Sequence, residues 1–196
     1  MHGSYFYLTA ILRPKAYKYS LFPYFMKILV VGTWNPVTSR KYSLQANELG
    51  YELARRNHIL VASPSSGFQG LVAQAYKQSG GSEFIGYFPE LKFMQEIGED
   101  ILVQPDVPIY TNQDYPVRNV LQIKNSDAVI GVTGETGTLT ELIISIKNYK
   151  LPTSFYKGSS NLIDFFKTIE PYFAERLKYG DNIAEMLDYL ENTCTK

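Results

Sequence analysis

The sequence predicts an α/β fold of the Rossmann-like, doubly wound kind, a mainly parallel sheet with helices on both faces. Three observations lead there. Several short apolar runs, Lys27 to Thr33, His58 to Ala62 and Asp127 to Val132, lack the alternation of a half-solvated strand and fit strands covered on both sides. Stretches with helical apolar spacing separate them, giving the β-α-β-α-β order that calls for a covered parallel sheet. Glycine-containing turns join strand ends to helix starts, where ligands of such sheets bind.

The elements follow in order. Lys27 to Thr33 is the first strand, and Trp34 to Arg40 a loop. Tyr42 to Arg56 is a helix with Leu44, Leu49, Leu53 and Ala54 on its apolar side. His58 to Ala62 is the second strand, and Ser63 to Ser66 a candidate phosphate loop. Gly67 to Gln78 is a helix that Gly80-Gly81 ends. Glu83 to Phe88 is the third strand. Pro89 to Val107 is less regular, with a short helix near Leu91 to Glu96, and Ile109 to Asn112 runs up to the next helix. That helix has Asp114 as N-cap and Pro116 in its first turn. Asp127 to Val132 is a buried strand, and the helix after it carries Leu139, Leu142, Ile143 and Ile146 on one side. Pro152 to Tyr156 is a strand; Asn161 to Leu177 and Asp181 to Asn192 are helices.

A chain of 196 residues with 19 basic and 19 acidic side chains has no formal net charge, so nothing asks for a nucleic-acid partner or an anionic membrane. Cys194 is the only cysteine, which excludes an internal disulfide and a cysteine-built metal site and fits a reducing, cytoplasmic setting. The two histidines, His2 and His58, do not make a metal site, and His58 reads as structural. No metal is expected from protein ligands. Residues 1–25 differ from the rest: eight aromatic and three basic residues (Arg13, Lys15, Lys18) and no acid. They read as an N-terminal extension or a misassigned start, with 26–196 a single nucleotide-binding domain; a basic-aromatic arm is the functional alternative. Tyr5 to Leu12 is too short to span a bilayer.

The chemistry concentrates in Tyr115 to Asn148. The strand to Val132 runs into Thr133-Gly134-Glu135-Thr136-Gly137-Thr138 and then a helix. The first amides of a helix have no internal partners and carry the positive end of the macrodipole, which suits an anion. Gly134 and Gly137, lacking Cβ, let a phosphate approach the backbone. No Gly-Lys-Ser/Thr ends the turn, so it is not a Walker loop. Candidate phosphate or nucleotide contacts are Gly134, Thr136, Gly137 and Thr138, with Gly67, Ser65 and Ser66 from the second strand's end and Gly32 and Thr33 from the first's. Gly67 and Gly70 also fit close helix–sheet packing. Arg118 lies in the first turn of its helix, where a cation opposes the macrodipole, and its guanidinium suits phosphate or carboxylate. Trp34 and Tyr115 are stacking candidates, though a lone Trp is more often packing.

The stretch Thr133 to Glu141 resembles the Pro-Gly-Gly-x-Gly-Thr-x-x-Glu signature of the Lonely Guy (LOG) family and its molybdenum-cofactor-carrier-like relatives. Arg118-Asn119 is similar to the Arg-Asn or Arg-Lys pair those families place one helix earlier. Gly67-Phe68-Gln69-Gly70-Leu71-Val72-Ala73 with Gly80-Gly81 resembles their Gly-Leu-Met-Gly-x-Val-Ala helix start and closing glycines. The likeness covers about Lys27 to Lys157. The departures are Ser63-Pro64-Ser65-Ser66 in place of a glycine run, Thr at 133 in place of Pro, and Glu at 135 in place of the second Gly; the last tilts the likeness towards the carriers.

The resemblance implies a phosphorylated small-molecule ligand, a nucleotide monophosphate or a molybdopterin-type cofactor, and a homodimer or higher homo-oligomer. It also implies that Arg118 and Glu141 are catalytic if the chain is a nucleoside 5′-monophosphate phosphoribohydrolase. From spacing alone, Thr138-Leu139-Thr140-Glu141 fits a capping box, with Thr138 as N-cap, and the two roles compete for one carboxylate. Binding protein, phosphoribohydrolase and nucleotide-sensing scaffold are the three functional readings.

Overall fold

The computed structural model describes residues 25–194; residues 1–24 and 195–196, and with them the expectations for the N-terminal arm, lie outside the described part. Seven parallel strands form one sheet in the order β4-β3-β2-β1-β5-β6-β7. They are β1 (Lys27–Val31), β2 (Ile59–Ala62), β3 (Phe84–Phe88), β4 (Val107–Tyr110), β5 (Ala128–Gly131), β6 (Thr153–Tyr156) and β7 (Leu177–Gly180). The order runs outward from β1 through β2 to β4 and then restarts beside β1 with β5, so the topological switch point lies between β1 and β5. Their register pairs Ile28 with Ala128 and Val31 with Gly131. Ligand crevices open at such a point, beyond the carboxyl ends of the strands.

Alternation along β1 builds two cores. Ile28 and Val30 face Leu49, Leu53, Val72 and Tyr76 of helices α2 (Ser43–Arg55) and α3 (Phe68–Gln78), with Leu187 and Leu190 of α9 (Ile183–Cys194). Leu29 and Val31 face Ile123 of α5 (Tyr115–Lys124), Leu142 and Ile146 of α6 (Thr136–Lys147), Ile163 of α7 (Asn161–Ile169) and Phe173 of α8 (Pro171–Arg176). Both faces are covered, as the unalternating apolar runs require. A polar clasp closes the first face: Arg56 binds Glu52, Asp188 and Glu191, and His58 Nε2 lies 2.8 Å from Glu191. Burial pushes the His58 imidazole below its usual range, consistent with a structural histidine.

Several expectations are corrected. The loop after β1 contains a short helix, α1 (Pro36–Arg40), because Asn35 Oδ1 accepts from the amides of Val37 and Thr38 and Pro36 is preset for a first turn. Leu44 is 77% exposed; it precedes the buried stripe of Ala46, Leu49, Gly50 and Leu53 on α2. Residues 107–110, given no element, form the edge strand β4; its largely exposed side chains gave no burial signal. The helix expected over Asn161 to Leu177 is two helices and a strand. Glu170 is extended (φ −120, ψ 93) before Pro171, as a residue preceding proline prefers, and the chain then enters β7 beside β6. The short helix α4 (Leu91–Ile97) lies where expected and ends on Gly98 in the left-handed region (φ 64).

Candidate functional site

A cavity of about 390 Å³ opens at the switch point. Gly32, Thr33 and Trp34 enter it from the end of β1, Ser63, Ser65 and Gln69 from the end of β2 and the head of α3. Ile97 at the end of α4 and Glu99 just after it close it, with Tyr115, Arg118 and Asn119 from α5. Glu135, Thr136, Gly137, Thr138 and Glu141 form the wall at the head of α6. Three strand ends that are far apart in sequence therefore meet around one space.

The helix α6 starts at Thr136, and its N-cap, Glu135, makes no side-chain cap bond. Thr138 is thus the third residue of the helix and not its cap, and the capping box does not form. The chain enters α6 three residues earlier than the Thr-x-x-Glu spacing suggests, with its N-cap at 135 and not at 138. The leading amides of a twelve-residue helix are left without a side-chain cap at the cavity wall. Gly137 has open space where a Cβ would stand.

Gly134 does not line this cavity; it shapes the turn. Its φ is +149, and a Cβ there would lie 2.2 Å from Thr138 Oγ1. Thr133 before it is also left-handed (φ 56). The loop after β6 holds this turn: Thr133 N donates to Ser159 Oγ at 3.0 Å, and Ser160 Oγ donates to the Gly134 carbonyl at 2.7 Å. Ser159 and Ser160 were not singled out in the sequence, since two serines before a helix read only as a cap. Ser160 is one as well, accepting from Ile163 N.

Glu141, freed from capping, points inward. It is 4% exposed, and its Oε1 accepts from Gln122 Nε2 at 2.8 Å. Burial raises its pKa to about 7, against the pull of the Arg118 charge and the Gln122 hydrogen bond. Arg118 is 5% exposed, donates from Nη1 to the Tyr87 carbonyl, and lies 5.2 Å from the Tyr115 ring centroid. Burial lowers its pKa, partly offset by Glu141 and Glu99. The Tyr115 hydroxyl donates to Glu99; burial and that carboxylate raise its pKa. Ser63 Oγ, Arg118 Nε, Asn119 Oδ1 and Gln122 Oε1 are buried without a hydrogen-bond partner. Native interiors rarely leave polar atoms in this state; Ser63, Arg118 and Asn119 line the cavity, and Gln122 stands behind Glu141.

Among the residues singled out from sequence, Gly32, Thr33, Ser65, Arg118, Thr136, Gly137, Thr138 and Glu141 come together on one cavity. Ser66 and Gly67 stay off its wall. A Cβ on Gly67 would lie 2.6 Å from the Thr33 carbonyl, so this glycine lets α3 approach the end of β1. Trp34 is 54% exposed on the cavity rim, contrary to the packing role expected for a lone tryptophan. Glu99 and Gln122 carry no motif and were missed. Among the described residues no group of three or more His, Cys, Asp or Glu side chains could hold a metal ion.

The profile of the SLOG cluster4 family matches residues 25–178, spanning all the residues around this cavity. The chain belongs to the SLOG cluster4 family. This SLOG cluster4 chain is 38% identical over 104 residues to a probable cytokinin riboside 5′-monophosphate phosphoribohydrolase, LOG6, of Arabidopsis thaliana. The match covers 52% of this chain and 49% of the relative. It is 36% identical over 103 residues to the cytokinin riboside 5′-monophosphate phosphoribohydrolase LOG1 of the same plant, covering 52% and 46%. The chain thus spans about half the length of these curated relatives. Among solved structures, the molybdenum cofactor carrier protein of Chlamydomonas reinhardtii superposes with a TM-score of 0.70 at 22% identity. That match covers 88% of this chain and all of that one (100%). The molybdenum cofactor binding protein of Rippkaea orientalis gives 0.68 at 20% identity, covering 90% and 100%. At such identities these likenesses establish the shared α/β Rossmann-like fold.

Proposed function

We propose that this protein binds a nucleoside 5′-monophosphate in the switch-point cavity and hydrolyses its N-glycosidic bond. The observation that carries the reading is Glu141, a buried carboxyl released from helix capping and facing the same cavity as a buried Arg118. The phosphate sits against the uncapped amides of Thr136 to Thr138 and the guanidinium of Arg118. In the reaction the C1′–N bond breaks, water oxygen joins C1′, and the water proton passes to the Glu141 carboxylate and from the protonated Glu141 to the departing base. The products are free base and ribose 5-phosphate. Positive charge develops on the ribose, and a carboxylate at Glu141 stabilises it and orients the water. A carboxyl titrating near 7 exchanges protons readily at neutral pH, which suits it to this work. Identity to the LOG phosphoribohydrolases supports the same chemistry.

A second reading, binding without turnover, is favoured by Glu135, whose exposed carboxylate stands at the anion end of the cavity, and by the Ser63–Ser66 loop, where Pro64 offers no N–H. Incubation with the common nucleoside 5′-monophosphates separates the two. Release of base and ribose 5-phosphate, abolished by Glu141→Gln with binding nearly retained and weakened in both respects by Arg118→Ala, supports the hydrolase. Tight binding measured by calorimetry with no base released would leave the binding protein.

A further inference from the structure

Gln122 lies on α5 one turn beyond Arg118, and its side chain is completely buried. Its Nε2 donates to Glu141 Oε1 at 2.8 Å, while its Oε1 has no partner. Its backbone carbonyl accepts from Ser126 Oγ at 2.8 Å, which fixes the last turn of the helix without using the side-chain amide. An amide presents a donor on one side and an acceptor on the other, and a half-turn of its terminal torsion exchanges them. A carboxylate can only accept, whereas a protonated carboxyl also donates.

We propose that Gln122 is the positioning residue for Glu141: its amide donates to the carboxylate and turns over to accept from the protonated carboxyl, holding the group in one place through both states. The proposal rests on the hydrolase reading for its chemical use, since only turnover requires Glu141 in both states. The surrounding charges are few. Arg118, from the same helix as Gln122, acts on Glu141 directly; Glu99 and Tyr115 act on Arg118. Glu135 lines the cavity from the head of Glu141's own helix. The helices α7 and α8 also pack on α6, and the ion pair there, Lys147 with Glu170, involves the last residue of α6, away from the cavity. From β5 and β6 only uncharged side chains face α6. Gln122 is therefore the neutral group that can follow the proton.

The test uses the full chain and needs no substrate. By NMR, the Gln122 side-chain amide protons should shift between about pH 5 and about pH 9 with the same midpoint as the Glu141 carboxyl carbon, and Glu141→Gln should abolish the shift. Gln122→Met, of similar length but unable to hydrogen-bond, should raise the Glu141 midpoint by about one unit. It should also move the pH–rate profile equally and lower kcat about tenfold near pH 7 while KM changes less than about twofold. An amide signal that does not titrate in the wild-type chain overturns the proposal even if Gln122→Met fails to fold, as does an unchanged Glu141 midpoint in a folded Gln122→Met. Absence of turnover in the wild-type chain would defeat the hydrolase reading alone, because both titrations are read without it.

Discussion

Glu141 is buried at the cavity wall, and ionising a buried carboxyl costs free energy that the unfolded chain does not incur. Unfolded, it releases its proton near 4.5; folded, near 7. Between those values the folded chain holds the extra proton, so this group's contribution to stability is complete below about 4.5 and is lost as pH rises through about 7. Glu141→Gln removes the titration. Its melting temperature should match the wild-type chain's near pH 4 and exceed it at pH 8, by the equivalent of at most about 3 kcal/mol. Equal melting at pH 8 would show that Glu141 is not buried in solution. Gly137 gives the complementary test at the proposed phosphate end. With open space at its Cβ, Gly137→Asp should fold normally yet place a carboxylate among the leading amides of α6. Affinity for any nucleoside monophosphate should fall about a hundredfold or more in calorimetry. Unchanged affinity would place the ligand elsewhere.

At the scale of elements, α5 and α6 do the positioning. Asp114 caps α5, with Oδ1 accepting from Val117 N at 3.0 Å, one residue before Arg118. Asp114→Ala should cost about 1 kcal/mol of stability in a denaturant titration. If the proposed hydrolase reading holds, fraying of the first turn should also raise KM without a matching fall in kcat, because in that reading Arg118 binds the ground state. An unaltered KM would mean that Arg118 is held by its Tyr87 and Tyr115 contacts alone. The same scale explains the misread C-terminal third. Residues 161–177 carry helical spacing on both sides of Pro171, and four residues of half-buried edge strand, Leu177–Gly180, are too short to display their own period. The turn before α6 could likewise be read as glycine-rich from sequence, but its left-handed Thr133 and its tethers to Ser159 and Ser160 belong to a loop 26 residues away.

For the whole molecule, seven parallel strands restart between β1 and β5, and that single crossover decides where the cavity opens. Among the described residues no helix is long and apolar enough to cross a membrane. Self-association remains a proposal, with a physical route: Phe165 and Ile169 on α7 and Val117 on α5 are exposed on the face that also carries α6, where Leu139 and Ile143 are only partly covered. Light scattering at micromolar concentration should give twice the chain mass or more, and Phe165→Glu with Ile169→Glu should reduce it to one. A wild-type monomer would discard this surface.

What the sequence determined by itself is local and periodic. Unalternating apolar runs dictate covered parallel strands, glycine turns mark their carboxyl ends, and the β-α alternation sets the fold class. The blocks around Gly67, Arg118 and Thr133–Glu141 could be identified because each is short and contiguous. Tertiary structure alone decided which residues share a cavity and which way each side chain turns. Thr138-Leu139-Thr140-Glu141 is the same four residues in a capping box and in a cavity wall; the packing of α6 against β5 and α5 chose the second and brought Glu141 to Gln122, 19 positions away. The paired burial of Glu141 and Arg118, and the proton affinity that follows from it, arises from desolvation by neighbours distant in the chain, a quantity no window of sequence contains.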